Sequence, residues 1–256
     1  MSRRRRQRQR RMAYINFAII ALLIAGGVAA FQFLKPVPYD EQTLCLLSDE
    51  LPPHTAIILD KTDEYDESQA DLIADLIRRS RDRLEVGERL SMFELDAEGQ
   101  FDPRGEFSLC NPGRGGQVNP LFRNPRMIEE RYATLFETPM DAVIDDLVVP
   151  KARLGQTENF SPDAPARRIV IVSDMLQNSD LFSAYGGGGT LPANMPRARD
   201  VAEAVERRYG RSLSGVDLEI RLIPRGRYTD MQRGALKEYW NEVFSELGLQ
   251  ADWRDL

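Results

Sequence analysis

Residues 54–64, HTAIILDKTDE, contain the strand and the loop from which the fold is predicted. The apolar run AIIL ends abruptly at Asp60 and a polar loop. Short Ile-rich runs closed by polar residues are typical of buried parallel strands. A second run, IVIVSD at residues 169–174, puts Ser173 and Asp174 in the matching place. Because ligands of open α/β sheets bind beyond the carboxyl ends of the strands, we expect a site where these two ends meet.

The rest of the chain alternates between segments typical of strands and of helices. Strand-like runs are found at residues 89–95, 106–109, 216–223 and 251–256, and helical periodicity at 66–87, 125–136, 139–147, 197–209 and 230–247. This alternation predicts an α/β fold, doubly wound, with a mostly parallel sheet and helices on both faces.

The amino-terminal segment is basic and then apolar. Residues 1–12 carry seven Arg and no acid, and residues 13–34 carry no charge. About 20 apolar residues cross a bilayer core, so this segment is either a retained signal anchor or a cleaved signal peptide. The apolar run continues past the small residues at 28–30, which favours the anchor. The positive-inside rule then predicts a single-pass inner (cell) membrane protein with a cytoplasmic tip and an extracytoplasmic domain. We expect a linker at residues 35–53 and the domain at residues 54–256.

Charge, histidine and cysteine content narrow the function classes. The net charge of −6 includes the basic tip, so the remainder of the chain is strongly acidic, which argues against nucleic-acid binding. With His54 as the one histidine, Ser-His-Asp and zinc sites are hard to assemble, and we expect a surface or packing role for it. The two cysteines, Cys45 and Cys110, form either a disulfide, permitted outside the cytoplasm, or two buried free thiols.

The loop after the first strand carries oxygen donors at alternate positions. Asp60, Thr62 and Glu64 occupy its first, third and fifth positions, and Asp174 ends the other strand. Carboxylate and hydroxyl oxygens that converge on one point suit a hard divalent cation, Mg²⁺ or Mn²⁺. The alternative is structural, with Asp60, Thr62 and Asp66 capping the helix that follows.

This layout resembles a von Willebrand factor A-type (vWA) domain with its metal-ion-dependent adhesion site. That family has Asp-x-Ser-x-Ser after the first strand, a Thr in a middle loop and an Asp after the fourth strand. On this resemblance, which covers residues 54–256, Asp60 matches the first Asp, Thr62 the first hydroxyl and Asp174 the later Asp. The resemblance also implies that the first and fourth strands are neighbours.

The sequence departs from the family pattern in two places. Glu64 stands where the family has its second Ser, and the middle Thr is either Thr138 or Thr157. The resemblance therefore implies a degenerate metal site. The predicted metal ligands are Asp60, Thr62, Glu64, Asp174 and Thr157, and the predicted binding residues beside them are Ser173, Gln177 and Asn178.

The hypothesis that follows is a membrane-anchored, non-enzymatic vWA-like module that binds a protein partner, with a Mg²⁺ or Mn²⁺ ion as its cofactor. The alternative is a haloacid-dehalogenase-like phosphohydrolase with Asp60 as nucleophile, suggested by the run Asp60-Lys-Thr62. In this sequence Asp63 and Glu64 follow, where that family has other residues. A third hypothesis is a structural subunit with a vestigial site.

Overall fold

A computed structural model describes most of the chain. The described residues are 3–34, 38–48, 50–95, 107–114, 125–137, 140, 164–178, 182–185, 187–209, 213 and 215–256. The chain divides into two compact units, Met1–Pro38 and Tyr39–Leu256. Thr138 and Thr157, and all of the predicted helix 139–147 except Met140, lie outside the described residues.

The first unit contains one long helix, α1 (Arg3–Leu34). Within it, Tyr14–Gln32 has a mean hydropathy of 2.2 and is long and apolar enough to cross a membrane. Its large apolar side chains are exposed instead of packed in a core; Leu22, for example, is 72% exposed. By length and composition α1 is therefore a candidate membrane helix, as the sequence predicts.

The second unit is organised by a six-stranded sheet. Its strands are β1 (His54–Asp60), β2 (Arg89–Leu95), β3 (Phe107–Cys110), β4 (Arg167–Ser173), β5 (Val216–Leu222) and β6 (Ala251–Asp255). They lie in the order β3-β2-β1-β4-β5-β6, in which β3 is antiparallel to β2 and every other pair is parallel. The predicted mostly parallel sheet is confirmed. The strand order reverses between β1 and β4, and such a switch point is where doubly wound folds bind ligands.

Helices cover both faces of this sheet. The longer ones are α2 (Glu67–Arg83), α3 (Pro125–Tyr132), α4 (Ala198–Tyr209) and α5 (Lys237–Glu246). A π-helical turn, Ala133–Glu137, continues α3, and the helical turns Gly226–Tyr228, Thr229–Met231 and Gln232–Leu236 precede α5. Ile73 of α2 shares a buried cluster with Val170 of β4, whereas Phe244 of α5 packs with Ile169, the residue before Val170 in the same strand. Since successive strand residues point to opposite faces, α2 and α5 lie on opposite sides of the sheet.

The capping sequence before α2 forms as predicted. The Asp66 carboxylate accepts the Gln69 N–H at 2.8 Å, and the Gln69 side chain accepts the Asp66 N–H at 3.1 Å. This reciprocal pair fixes where α2 begins, with six residues between it and the end of β1. The loop between them is therefore short and held at both ends.

The compact unit around the sheet includes residues that precede the predicted domain start at residue 54. The compact unit begins at Tyr39, and Leu44, 1% exposed, belongs to the main hydrophobic cluster. Of the two alternatives for Cys45 and Cys110, the structure has the disulfide. The Cys110 N–H also donates to the Thr43 carbonyl at 2.8 Å. Part of the segment predicted as linker is thus tied to the start of the sheet, because a buried leucine and a disulfide hold it there.

A chain of neutral hydrogen bonds crosses the strands near the amino end of β1. His54 Nε2 lies 2.8 Å from Ser91 Oγ, which lies 2.8 Å from Ser108 Oγ. His54 is buried, and this burial, followed by the charge of Arg89, lowers the pKa of its imidazole to about 4. The imidazole is therefore uncharged at neutral pH, and His54 packs inside the sheet instead of on the surface.

Candidate functional site

Asp60 joins the ends of β1 and β4. Its Oδ2 accepts a hydrogen bond from Ser173 Oγ at 2.5 Å. Its Oδ1 accepts from the Thr62 hydroxyl at 2.6 Å and the Thr62 N–H at 3.2 Å, and its carbonyl accepts from the Tyr65 hydroxyl at 2.6 Å. The two strand ends that the sequence singles out are therefore in direct contact.

The backbone after β4 forms a tight elbow. Ser173 Oγ accepts the Met175 N–H at 2.9 Å, and Asp174 Oδ1 accepts the Leu176 N–H at 2.8 Å. Met175 has a φ of 59°, in the left-handed region that a residue with a side chain rarely adopts. The Trp240 indole N–H donates to the Met175 carbonyl at 3.0 Å and helps to hold this conformation. Strained backbone of this kind is concentrated at functional sites.

Arg225, three residues beyond the end of β5, connects the ends of three strands. Its Nε donates to Asp174 Oδ2 at 3.0 Å, and its Nη1 donates to the Glu64 carbonyl at 3.1 Å. Burial raises the pKa of Asp174, and the Leu176 N–H and the Arg225 charge offset part of that increase. The guanidinium thus compensates a carboxylate that is 5% exposed.

A cavity of about 610 Å³ opens beside Asp60. Its lining residues are Asp60, Thr62, Asp63, Leu95, Ile171, Ser173, Met175, Leu176, Gln177, Asn178, Tyr185 and Trp240. We call this cavity the crevice. Asp60 and Asp63 make one part of it acidic, several of the other lining residues are uncharged and polar, and apolar and aromatic side chains form the rest. Burial, followed by the nearby Asp174 and Asp63, raises the pKa of Tyr185 to about 12.

The predicted site residues divide into three groups. Asp60, Thr62, Ser173, Gln177 and Asn178 line the crevice. Asp174 and Glu64 do not line it and instead contact Arg225, Asp174 through its side chain and Glu64 through its backbone carbonyl. Thr157 lies outside the described residues.

The carboxylate oxygens of Asp60 and Asp174 do not fit a divalent cation, because other groups already occupy them. The two carboxylate oxygens of Asp60 already accept three hydrogen bonds, and those of Asp174 accept from Leu176 and Arg225. Within the described part of the chain, His, Cys, Asp and Glu form no group of three or more that could hold a metal ion. A guanidinium in contact with Asp174 would also repel a second cation.

Arg225 is central to this geometry but is not predicted from the sequence. Its one local signal is its place just after Leu222, the last residue of a third parallel strand, because all parallel strand ends meet at the same edge. Trp240 is partly buried against a hydrophobic cluster and also lines the crevice.

Comparison with solved structures finds only distant likeness. No family model and no curated protein matches the chain. Among solved structures it is similar to an aerotolerance-related membrane protein from Bacteroides fragilis NCTC 9343 that carries multiple mutations to serines. The TM-score is 0.36 at 13% identity, covering 79% of this chain and 92% of that one. At this score the likeness carries no argument, and the fold assignment rests on the strand order.

Proposed function

We propose that this chain is a membrane-anchored vWA-like module that binds a protein partner at the crevice, on the extracytoplasmic side. The observation that carries the proposal is the contact between Asp60 and Ser173, which joins two strand ends beside an open cavity at the switch point of the sheet. A lining that combines apolar and aromatic side chains with fixed polar and acidic groups suits the side chains of a partner protein.

The anchor is supported by α1 and by the charges before it. The apolar segment Tyr14–Gln32 is long enough to span a bilayer, and the seven Arg of residues 1–12 favour a cytoplasmic amino terminus. Protease added to right-side-out vesicles should therefore digest the domain and spare an amino-terminal tag. If the domain were digested only in inside-out vesicles, the orientation would be the opposite of the proposed one.

The geometry around Asp60 favours binding over phosphoryl chemistry. A nucleophilic carboxylate needs a free oxygen aimed at the phosphorus and positive charge around the phosphate. Here both oxygens of Asp60 accept hydrogen bonds, Lys61 Nζ pairs with Glu94 at 3.3 Å, and Arg225 pairs with Asp174. We therefore propose a non-enzymatic role. Turnover of a generic phosphate ester that is lost in Asp60→Asn would contradict it.

Site-directed photocrosslinking in native membranes tests the binding face. A photoreactive residue at Asn178, exposed at the crevice, should crosslink a partner protein. The matched control is the same residue at Asp217, which is exposed near the start of β5 and should give no such product. The Asn178 product should also weaken when Asp60→Ala and Asp174→Ala are combined. Equal products from both positions would show that the crevice is not the binding face.

A further inference from the structure

We propose that Arg225 serves as a built-in cation in place of a divalent metal ion, so that the crevice is assembled and binds its partner without metal. The part that concerns the partner rests on the function proposed above. A metal ion in such a site holds acidic strand ends together and offsets their mutual repulsion. Arg225 meets both requirements with a covalently attached charge.

The guanidinium is placed to bridge the two strand ends. Its Nε contacts the carboxylate of Asp174 after β4, and its Nη1 contacts the carbonyl of Glu64 in the loop after β1, at 3.0 and 3.1 Å. A guanidinium is planar, permanently charged and donates in fixed directions, so it can make both contacts at once. A lysine ammonium would supply the charge without that fixed fork.

A buried glutamine holds Arg225 in register with Asp174. The Gln232 side chain, which is fully buried, accepts the Arg225 backbone N–H at 2.8 Å. Its amide nitrogen donates to the carbonyls of Asp174 at 2.7 Å and Ile223 at 3.0 Å. Arg225 is thus positioned from the backbone outward, as expected of a residue with a specific structural role.

The oxygens that would bind a cation are the ones that this arrangement uses. Asp174 Oδ2 accepts from Arg225 and its Oδ1 from the Leu176 N–H, while Asp60 binds the two neighbouring hydroxyls. Removing the guanidinium would release one carboxylate oxygen and leave a buried negative charge uncompensated. Such a variant should acquire the affinity for a divalent cation that the native site does not have.

Thermal unfolding of the full chain in detergent micelles, with and without Mg²⁺ or Mn²⁺, tests this gain of function. We expect the native Tm to be the same in EDTA and in the added cation. Arg225→Met should lower Tm by about 5 °C, and the cation should restore part of the loss in a saturable way. Arg225→Met combined with Asp174→Asn should show no restoration, and Arg225→Lys should be intermediate and insensitive to the cation.

Arg233→Met is the matched control, because Arg233 pairs with Asp255 at 2.6 Å through half-exposed side chains. It should change Tm little and show no response to the cation. A saturable increase of the native Tm that disappears in Asp60→Asn would overturn the proposal, as would an Arg225→Met variant that folds but shows no response.

Crosslinking of the native chain separates this proposal from the proposed function, and it needs no substitution at Arg225. A product at Asn178 that survives EDTA supports the proposal. A product lost in EDTA and restored by Mg²⁺ overturns it and leaves the binding function intact. Absence of any product overturns the binding function, and the native Tm titration then decides the role of Arg225.

Discussion

The two ends of the central sheet are stabilised by different chemistry. At the amino end, His54, Ser91 and Ser108 form a chain of uncharged hydrogen bonds, and a disulfide ties the adjoining segment to β3. At the carboxyl end, Asp60 and Asp174 are balanced by hydroxyls and by one guanidinium beside an open cavity.

The comparison separates residues that hold the strands in place from residues available for recognition. A neutral, buried hydrogen-bond chain avoids the cost of taking charge out of water. The carboxyl end instead keeps a buried carboxylate, Asp174, paired with a guanidinium beside the open cavity, an arrangement that adds little stability and is typical of functional sites. We therefore expect substitutions at the amino end to affect stability alone, and substitutions at the carboxyl end to affect partner binding as well as stability.

Loss of the disulfide should have the largest effect. The cysteines are 65 residues apart in sequence, and closing a loop of this length stabilises a protein by about 4 kcal/mol. Cys45→Ser combined with Cys110→Ser should lower the free energy of unfolding by that amount in urea titrations. The native chain should lose the same stability on reduction, and the double variant should be insensitive to reductant. Equal stability of the oxidised and reduced native chain would remove this difference between the two ends.

Acidification should destabilise the amino end through His54. Its imidazole has a pKa of about 4 in the fold, against about 6.5 when unfolded, so the unfolded chain binds the proton first as pH falls. The stability contributed at neutral pH is therefore lost between pH 6.5 and 4, by about 3 kcal/mol. Comparison of the pH dependence of unfolding with that of His54→Gln isolates this part. An NMR titration of the one imidazole that gave a pKa near 6.5 would contradict it.

Removal of the Ser173 hydroxyl should have a moderate effect at the carboxyl end. Ser173→Ala takes away the donor to Asp60 and the acceptor for the Met175 N–H, so we expect a loss of about 2 kcal/mol. Ser108→Ala, which interrupts the neutral chain at the other end, is the comparison variant. Only Ser173→Ala should also weaken the Asn178 crosslink; equal weakening by both would contradict the assignment of recognition to the carboxyl end.

The smallest expected effect is an inverted preference at Met175. Both Met175→Gly and Met175→Ala remove the side chain, but only glycine adopts a φ of 59° without strain. The glycine variant should therefore be about 1 kcal/mol more stable than the alanine variant, whereas alanine is preferred at an ordinary position. Differential scanning calorimetry of the pair measures this difference, and a preference for alanine would show that the elbow relaxes.

The sequence predicts the strand ends well, because the change from apolar to polar residues at Asp60 and Ser173 is local. It does not predict Arg225, since an ion pair between Arg225 and Asp174 depends on which strands become neighbours. The packing of residues 39–53 against the sheet is not predicted from the sequence for a similar reason. One buried leucine and one disulfide hold a segment that has no periodicity.

The prediction of a divalent cation from the sequence has the same limit, because it also depends on which strands become neighbours. The order of oxygen donors in the sequence suits a divalent metal, but the side chain that contacts Asp174 comes from beyond the fifth strand. A pattern of donors specifies neither which of their lone pairs are already used nor which neighbouring charge compensates them.

The oxidation state of Cys45 and Cys110 also shows whether the domain of a given molecule has left the cytoplasm. Thiols stay reduced in the cytoplasm, so a copy whose domain had not been exported would keep both sulfhydryls. Retained copies would react with a maleimide before reduction, whereas exported copies would react only after it. A gel that separates the two forms would therefore count them. With the domain on the extracytoplasmic side, as proposed above, its export can thus be followed without any fusion reporter.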